Sequence, residues 1–311
     1  MAVSLKGRDF VSLHDFTSEE VRQFLDTAHS LKRQSTMGVM DRPLAGKTLG
    51  MIFSKPSTRT RISFEVGIWQ LGGMGLFLSS QELQLRRGET IEDTAKVLSR
   101  YLSGIMIRTH AHQDVLDLAA HSSIPVINGL TDLLHPCQAL SDLLTISEKK
   151  GRVEGIKLAF VGDGANNMVH SLLFAGAKTG MHVTVGAPRG YEPSAEIMEQ
   201  AREDARWTGA QLEVTNDAEA AVSDADVVYA DVWASMGQEE EGAKRLDELA
   251  DFQVNEPLWQ HVRWDAIFMH CLPAHRGEEV TEAILDGPMS VVFDQAENRL
   301  HAQKAIMALT M

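Results

Sequence analysis

Ser57-Thr58-Arg59-Thr60-Arg61 places three hydroxyls and two guanidinium groups between an apolar strand, TLGMIF at 48–53, and a helix. The first N–H groups of a helix have no intrahelical acceptor and carry the positive end of its dipole. With the Ser57, Thr58 and Thr60 hydroxyls and the planar fork of Arg59, they form a cradle for phosphate oxygens without a Walker glycine pattern. Arg61 is two residues from Arg59, so on a helix the two point apart. Glu65 lies four residues after Arg61, which makes Arg61–Glu65 a structural pair and leaves Arg59 for the ligand.

His135-Pro136-Cys137-Gln138 opens another helix. Its imidazole can polarise a carbonyl, and the Gln138 amide offers both a donor and an acceptor. Cys137 reads as a packed thiol. Gly162-Asp163-Gly164-Ala165-Asn166-Asn167 follows a strand and invites a dinucleotide reading. However, Asn167 replaces the third glycine, and Gly186-Ala187-Pro188-Arg189 ends the next strand without a carboxylate for a ribose hydroxyl, which argues against NAD here. Asn167 is better suited to a carboxylate or carbonyl. Asp231, with Ser235 close behind it, can hold an ammonium group. Cys271 follows another strand, where a reactive thiol and a buried structural one are both open readings. Arg299, near the C-terminus, can return a cation to a cleft or lie on the surface.

These residues need elements that present them together. Thr17 to Glu20 fits a capping box, and Val21, Phe24, Leu25, Ala28 and Leu31 follow at helical spacing. Helices over 91–102, 113–120 and 137–149 alternate with strands at 104–107 and 125–128. The alternation restarts after the basic, glycine-containing segment EKKGRVEG. Strands at 157–162, 182–187, 211–215, 226–231 and 267–270 interleave with helices 167–180 and 194–207. A terminal helix begins near 295. The pattern predicts an α/β protein of two doubly wound domains, residues 1–150 and 151–294, each a parallel sheet flanked by helices. Ligands in such sheets bind beyond the carboxyl ends of the strands, where most of the residues above fall. That arrangement suggests an anion site between the domains. The acidic, weakly periodic stretch 236–263 is open to two readings, a mobile loop over a site or a solvated surface excursion.

Composition narrows the function classes. Of 311 residues, 44% are hydrophobic, and 29 basic against 43 acidic side chains give a net charge of −14. Such a surface argues against nucleic acid or an anionic membrane as the main partner. Two cysteines build no disulfide framework. With no apolar run of about 20 residues and no apolar core near the N-terminus, the expected address is the cytoplasm.

Taken together and in order, STRTR, HPCQ, DVWASMG and HCLPA resemble the transcarbamoylases, and the versions with SMG and HCLP resemble the ornithine branch. The resemblance extends from the first helix to QAENRLHAQKA. It implies a carbamoyl-phosphate domain followed by an ornithine domain, a last helix (about 295–311) that packs back on the first domain, a homotrimer, and no metal or organic cofactor. It assigns Ser57, Thr58, Arg59 and Thr60 to the phosphate and Arg108 to phosphate and carbonyl oxygens. His135 is assigned to the carbonyl oxygen, Gln138 to the carbamoyl NH2, and Gln84 to the neighbouring subunit's site. Cys271 and Leu272 would line the path of the side-chain amine, and Arg299 would close the carbamoyl end. Arg108, His135 and Cys271 would be the catalytic residues. Asn167, Asp231, Ser235 and Met236 would contact L-ornithine. The product would be citrulline, in the direction of arginine biosynthesis or, alternatively, in reverse for arginine breakdown.

A rival reading takes His110-Ala111-His112 as a zinc pair with His270 and His275 as further ligands, giving a metal hydrolase. It leaves the anion cradle without a purpose.

Overall fold

The computed structural model describes residues 3–79, 88–233 and 242–311. The chain divides into two compact units, Met1–Leu144 with Glu297–Met311, and Thr145–Ala296.

The first unit contains β1 (Thr48–Phe53), β2 (Met74–Ser79), β3 (Gly104–Arg108) and β4 (Val126–Leu130) in the order β2-β1-β3-β4, with parallel pairing throughout. Helices α1 (Ser18–Thr36), α2 (Thr58–Gln70), α3 (Ile91–Tyr101), α4 (His112–His121) and α5 (Pro136–Lys150) connect and flank these strands. The Thr17 capping box forms as its spacing requires, and Val21, Phe24, Leu25, Ala28 and Leu31 are buried along one stripe of α1. Phe24 meets the edges of Phe10 and Phe16 at 5.2 and 5.1 Å between ring centroids, the edge-to-face geometry that aromatic quadrupoles favour. Strand β2 has no counterpart in the sequence reading. Met74, Leu76 and Phe77 are exposed on this sheet edge, so the period-2 burial signal that marks a strand is missing there.

The second unit contains β5 (Lys157–Val161), β6 (His182–Gly186), β7 (Leu212–Thr215), β8 (Val227–Ala230) and β9 (Ile267–His270), parallel and ordered β7-β6-β5-β8-β9. Its helices are α6 (Asn167–Thr179), α7 (Ala195–Ala205), α8 (Ala218–Val222), α9 (Gly242–Leu249), α10 (Glu256–Trp259) and α11 (Glu282–Leu285). Within 236–263, the described part forms short helices that bury part of their surface. Arg245, Leu249, Phe252, Val254 and Leu258 are buried, the last three in the core with Phe268, Val280 and Ile284. The weak periodicity reflects two short helices separated by a 3-10 turn at Ala250–Phe252.

The last helix, α12 (Val292–Thr310), contacts the N-terminal helices. Lys32 Nζ donates to Asn298 Oδ1 at 2.8 Å, and Lys304 Nζ donates to Gln70 Oε1 at 2.9 Å and Ser35 Oγ at 3.2 Å.

Candidate active site

Parallel pairing brings the ends of β1 and β3 side by side. Phe53 pairs with Arg108, and Ser54 N–H donates to the Arg108 carbonyl at 2.9 Å. The chain then turns into α2, capped by Ser57, whose Oγ accepts the Thr60 N–H at 3.3 Å. Thr58 is exposed at the first helical position, Arg59 is half-buried, and Thr60 is fully buried. Arg61 turns away, as its spacing demands. Its Nε donates to Glu65 at 3.0 Å, and its guanidinium lies 3.9 Å from the Phe77 ring centroid.

Thr60 is the hub. Its Oγ1 accepts from Arg299 Nη2 at 2.8 Å and from Arg108 Nη1 at 3.4 Å. With both lone pairs engaged, the hydroxyl can act toward a further group only as a donor. Arg299 Nη1 also donates to Gln138 Oε1 at 2.9 Å, and Gln138 Nε2 donates to Asp142 Oδ1 at 2.8 Å. Arg108, Thr60, Arg299, Gln138 and Asp142 are all buried. The network fixes both ends of the Gln138 amide and leaves one lone pair of Oε1 for a further donor. Asp142 was missing from the sequence reading. The four-residue spacing from Gln138 along α5 could have flagged it.

His135 is buried in the same unit. Burial, followed by the positive fields of Arg299, Arg108 and Arg59, holds its imidazole well below the usual histidine range. It is therefore a neutral ring close to three cations, an arrangement that favours an anion and donates a hydrogen bond without adding another charge. Cys137 is inert by comparison. Its thiol donates to the Asn128 carbonyl at 3.2 Å, and burial pushes its pKa up to about 12.

In the second unit, Ala230 pairs with His270 at the ends of β8 and β9, so Asp231 and Cys271 emerge as neighbours. Cys271 Sγ lies 3.0 Å from Asp231 Oδ1, which also accepts the Val232 N–H at 2.9 Å. Burial raises the Asp231 pKa, and His270, Cys271 and the Val232 N–H partly offset that rise. Leu272 has a left-handed φ of +58° and donates its N–H to His270 Nδ1 at 2.9 Å. This bond fixes the direction of the backbone that follows Cys271. Asn167 is the first residue of α6, while Asn166 caps the helix and accepts the Val169 N–H at 2.9 Å. Gly162, with φ +132°, meets the Trp233 indole closely. A Cβ there would come within 3.2 Å of Nε1, so this position requires glycine.

Arg245 had no role in the sequence reading. Its Nη1 donates to Asp163 Oδ2 at 2.7 Å and to the Trp233 carbonyl at 3.1 Å. It ties the loop after β5 to the chain two residues beyond Asp231. Gln84, Ser235 and Met236 lie outside the described residues.

The zinc reading fares differently. Two groups of potential ligands occur among the described residues, Asp231-His270-Cys271 and His275-Glu278-Glu279. Neither contains His110 or His112. His112 instead makes a 3.0 Å contact from its ring to Thr131 Oγ1, and its backbone N–H donates to Asp132 Oδ1 at 3.1 Å.

Residues 8–148 match the family model described as the aspartate/ornithine carbamoyltransferase carbamoyl-P binding domain, and 154–310 match the Asp/Orn binding domain of the same family. A protein of Oceanobacillus iheyensis named ornithine carbamoyltransferase is 60% identical over 99% of this chain and 95% of its own. One from Pyrococcus furiosus, named ornithine carbamoyltransferase, anabolic, is 56% identical over 100% of this chain and 98% of its own. The solved ornithine carbamoyltransferase of Pyrococcus furiosus superposes with a TM-score of 0.97 at 56% identity, covering 100% of this chain and 99% of that one. Both halves of the sequence, and nearly its whole length, therefore identify the chain as a member of the aspartate/ornithine carbamoyltransferase family.

Proposed function

We propose that this chain catalyses transfer of the carbamoyl group from carbamoyl phosphate to the side-chain amine of L-ornithine, giving L-citrulline and phosphate. The observation that carries the reading is the buried Arg108–Thr60–Arg299–Gln138 network beside the N-terminus of α2. It combines a phosphate cradle with hydrogen-bonding groups suited to a carbamoyl group.

The neutral δ-amine attacks the carbamoyl carbon. Charge grows on the carbonyl oxygen, where Arg108, the neutral His135 ring and the Thr60 hydroxyl stabilise it. The C–O bond to phosphate breaks, and the phosphate leaves into the α2 N-terminus with Ser57, Thr58 and Arg59 around it. A phosphate oxygen takes the amine proton, so the step needs no strong protein base. Gln138 orients the carbamoyl NH2, and positioning supplies much of the rate.

The second unit supplies the amino-acid end. Asp231 takes the α-ammonium, Asn167 and the Met236 backbone hold the carboxylate end, Ser235 adds a hydroxyl contact to ornithine, and Cys271 and Leu272 line the amine path. A buried carboxylate disfavours aspartate as substrate and is left unpaired by N-acetylornithine, whose α-amine is blocked. The biosynthetic direction takes support from the relative named anabolic.

The working unit in this proposal is a homotrimer, with Gln84 lent to a neighbour. The exposed Met74, Leu76 and Phe77 on edge strand β2, with Ile62 and Trp69 exposed on α2, favour burial against another copy. The cytoplasm suits Cys137 and Cys271, which are not joined in a disulfide. No helix of the described residues is long and apolar enough to cross a membrane.

Initial rates with carbamoyl phosphate and one amine at a time test the substrate: ornithine, N-acetylornithine, putrescine and aspartate, each with and without EDTA. The expected result is fastest turnover with ornithine, unaffected by EDTA. Preference for another amine would overturn the roles of Asp231 and Ser235, and EDTA sensitivity would overturn metal-free transfer.

A further inference from the structure

Past the Cys271 loop, His275-Arg276-Gly277-Glu278-Glu279 forms a tight turn that the transferase reading leaves without a purpose. Glu278 N–H donates to the His275 carbonyl at 3.0 Å, and Gly277 N–H donates to the Val280 carbonyl at 2.9 Å. The turn gathers three potential ligand atoms. His275 Nδ1 lies 3.5 Å from Glu278 Oε2 and 3.8 Å from Glu279 Oε2, and each of the three residues offers a ligand atom within 4.8 Å of those of the other two.

Glu279 is the unusual member. Its side chain is 0% exposed. Its Oε1 accepts the His275 N–H at 2.6 Å and lies 3.2 Å from His270 Nε2. Its Oε2 is sealed from solvent and has no hydrogen-bond partner. Leaving a buried carboxylate oxygen without a donor is costly, and such an atom calls for an explanation. The group facing it is His275 Nδ1, whose own side chain is about half exposed, as is that of Glu278.

We propose that His275 Nδ1, Glu278 Oε2 and Glu279 Oε2 bind a divalent transition-metal ion of the zinc type. Zinc bonds imidazole nitrogen and carboxylate oxygen at about 2.0–2.2 Å, which puts tetrahedral ligand atoms about 3.4 Å apart. Two of the three separations already approach that value. The two half-exposed ligands provide an entry path and leave a fourth position for water. The outer shell is in place as well, since His270 flanks Glu279 on its other oxygen. His270 Nδ1 in turn accepts the Leu272 N–H, so the ion would sit behind the Cys271–Leu272 backbone.

Cobalt(II) titration of the purified full chain tests the site, because cobalt reports its ligands in its spectrum. Asp231-His270-Cys271 is the competing cluster in the same unit, and it would add a sulfur-to-cobalt charge-transfer band. The proposal expects one equivalent of cobalt bound without that band. His275→Ala and Glu278→Gln, both at half-exposed positions that leave the core intact, should each weaken it at least about tenfold. Cys271→Ser should leave that equivalent in place. Absence of cobalt binding to the unsubstituted protein would overturn the site. So would binding that persists in His275→Ala, or a single equivalent that shows the sulfur band and disappears in Cys271→Ser.

Discussion

Arg299 joins two helices through one guanidinium group: Nη2 donates to Thr60 at the start of α2 at 2.8 Å, and Nη1 donates to Gln138 near the start of α5 at 2.9 Å. Two helix starts of this buried network are therefore joined by a residue from the far end of the chain, 239 positions from Thr60. The planar fork matters more than the charge, because a single ammonium cannot reproduce both bonds in the same geometry.

Replacing Arg299 with Lys should accordingly damage catalysis more than folding. A hydrogen bond involving a charged group contributes about 1.5–3 kcal/mol, so losing one should lower kcat/KM for carbamoyl phosphate by roughly 10–150-fold. Steady-state kinetics, with a thermal melt to show that the fold survives, checks this. An unchanged kcat/KM would remove Arg299 from the site.

His135 should remain neutral across the working pH range. Burial and the nearby Arg299, Arg108 and Arg59 depress its pKa in the folded state. Between that depressed value and the unfolded value of about 6.5, the unfolded chain binds more protons than the native one. Stability from this group is therefore fully present above about pH 6.5 and falls as pH drops toward the folded pKa. The imidazole resonance of His135 should not titrate between pH 8 and about 6, a window spanning the ordinary histidine value. A midpoint near that ordinary value would contradict a buried neutral donor.

Arg245 should matter for the amino-acid substrate alone. It links Asp163 to the Trp233 carbonyl in the unit that carries Asp231. Arg245→Met removes both bonds and leaves Asp163 buried without its cation, so KM for ornithine should rise by roughly tenfold or more. KM for carbamoyl phosphate should change little. Equal effects on both substrates would indicate general loss of structure.

The two cysteines should differ sharply toward a thiol reagent. Cys137 is buried with its pKa pushed up to about 12, whereas Cys271 is partly exposed. The native protein should be modified at Cys271, with ornithine slowing the reaction, and Cys137 should react only after unfolding. Mass spectrometry of the labelled peptides decides, and labelling of native Cys137 would contradict the packing.

Local spacing carries a large part of this structure. The α1 stripe, the Thr17 capping box and the Arg61–Glu65 pair are consequences of helical periodicity, and all three are present. The strand-end rule located Arg108, Asp231 and Cys271, because parallel pairing places residues after neighbouring strands side by side. What spacing misses is either long-range or locally atypical. Arg299 reaches Thr60 only through the packing of α12, and Arg245 meets Asp163 across 82 positions. Strand β2 leaves Met74, Leu76 and Phe77 exposed, so its pattern does not signal burial. Short helices such as α10 and α11 span little more than one turn, too few residues for a period to show.

The central claim is carbamoyl transfer, and the most direct test follows the carbamoyl carbon itself. Carbon-labelled carbamoyl phosphate is mixed with the enzyme and ornithine, and labelled citrulline and free phosphate are measured together. The account predicts one labelled citrulline for each phosphate released, with negligible phosphate release when ornithine is omitted. Phosphate released at the same rate without ornithine, with the label leaving as small hydrolysis products, would contradict it.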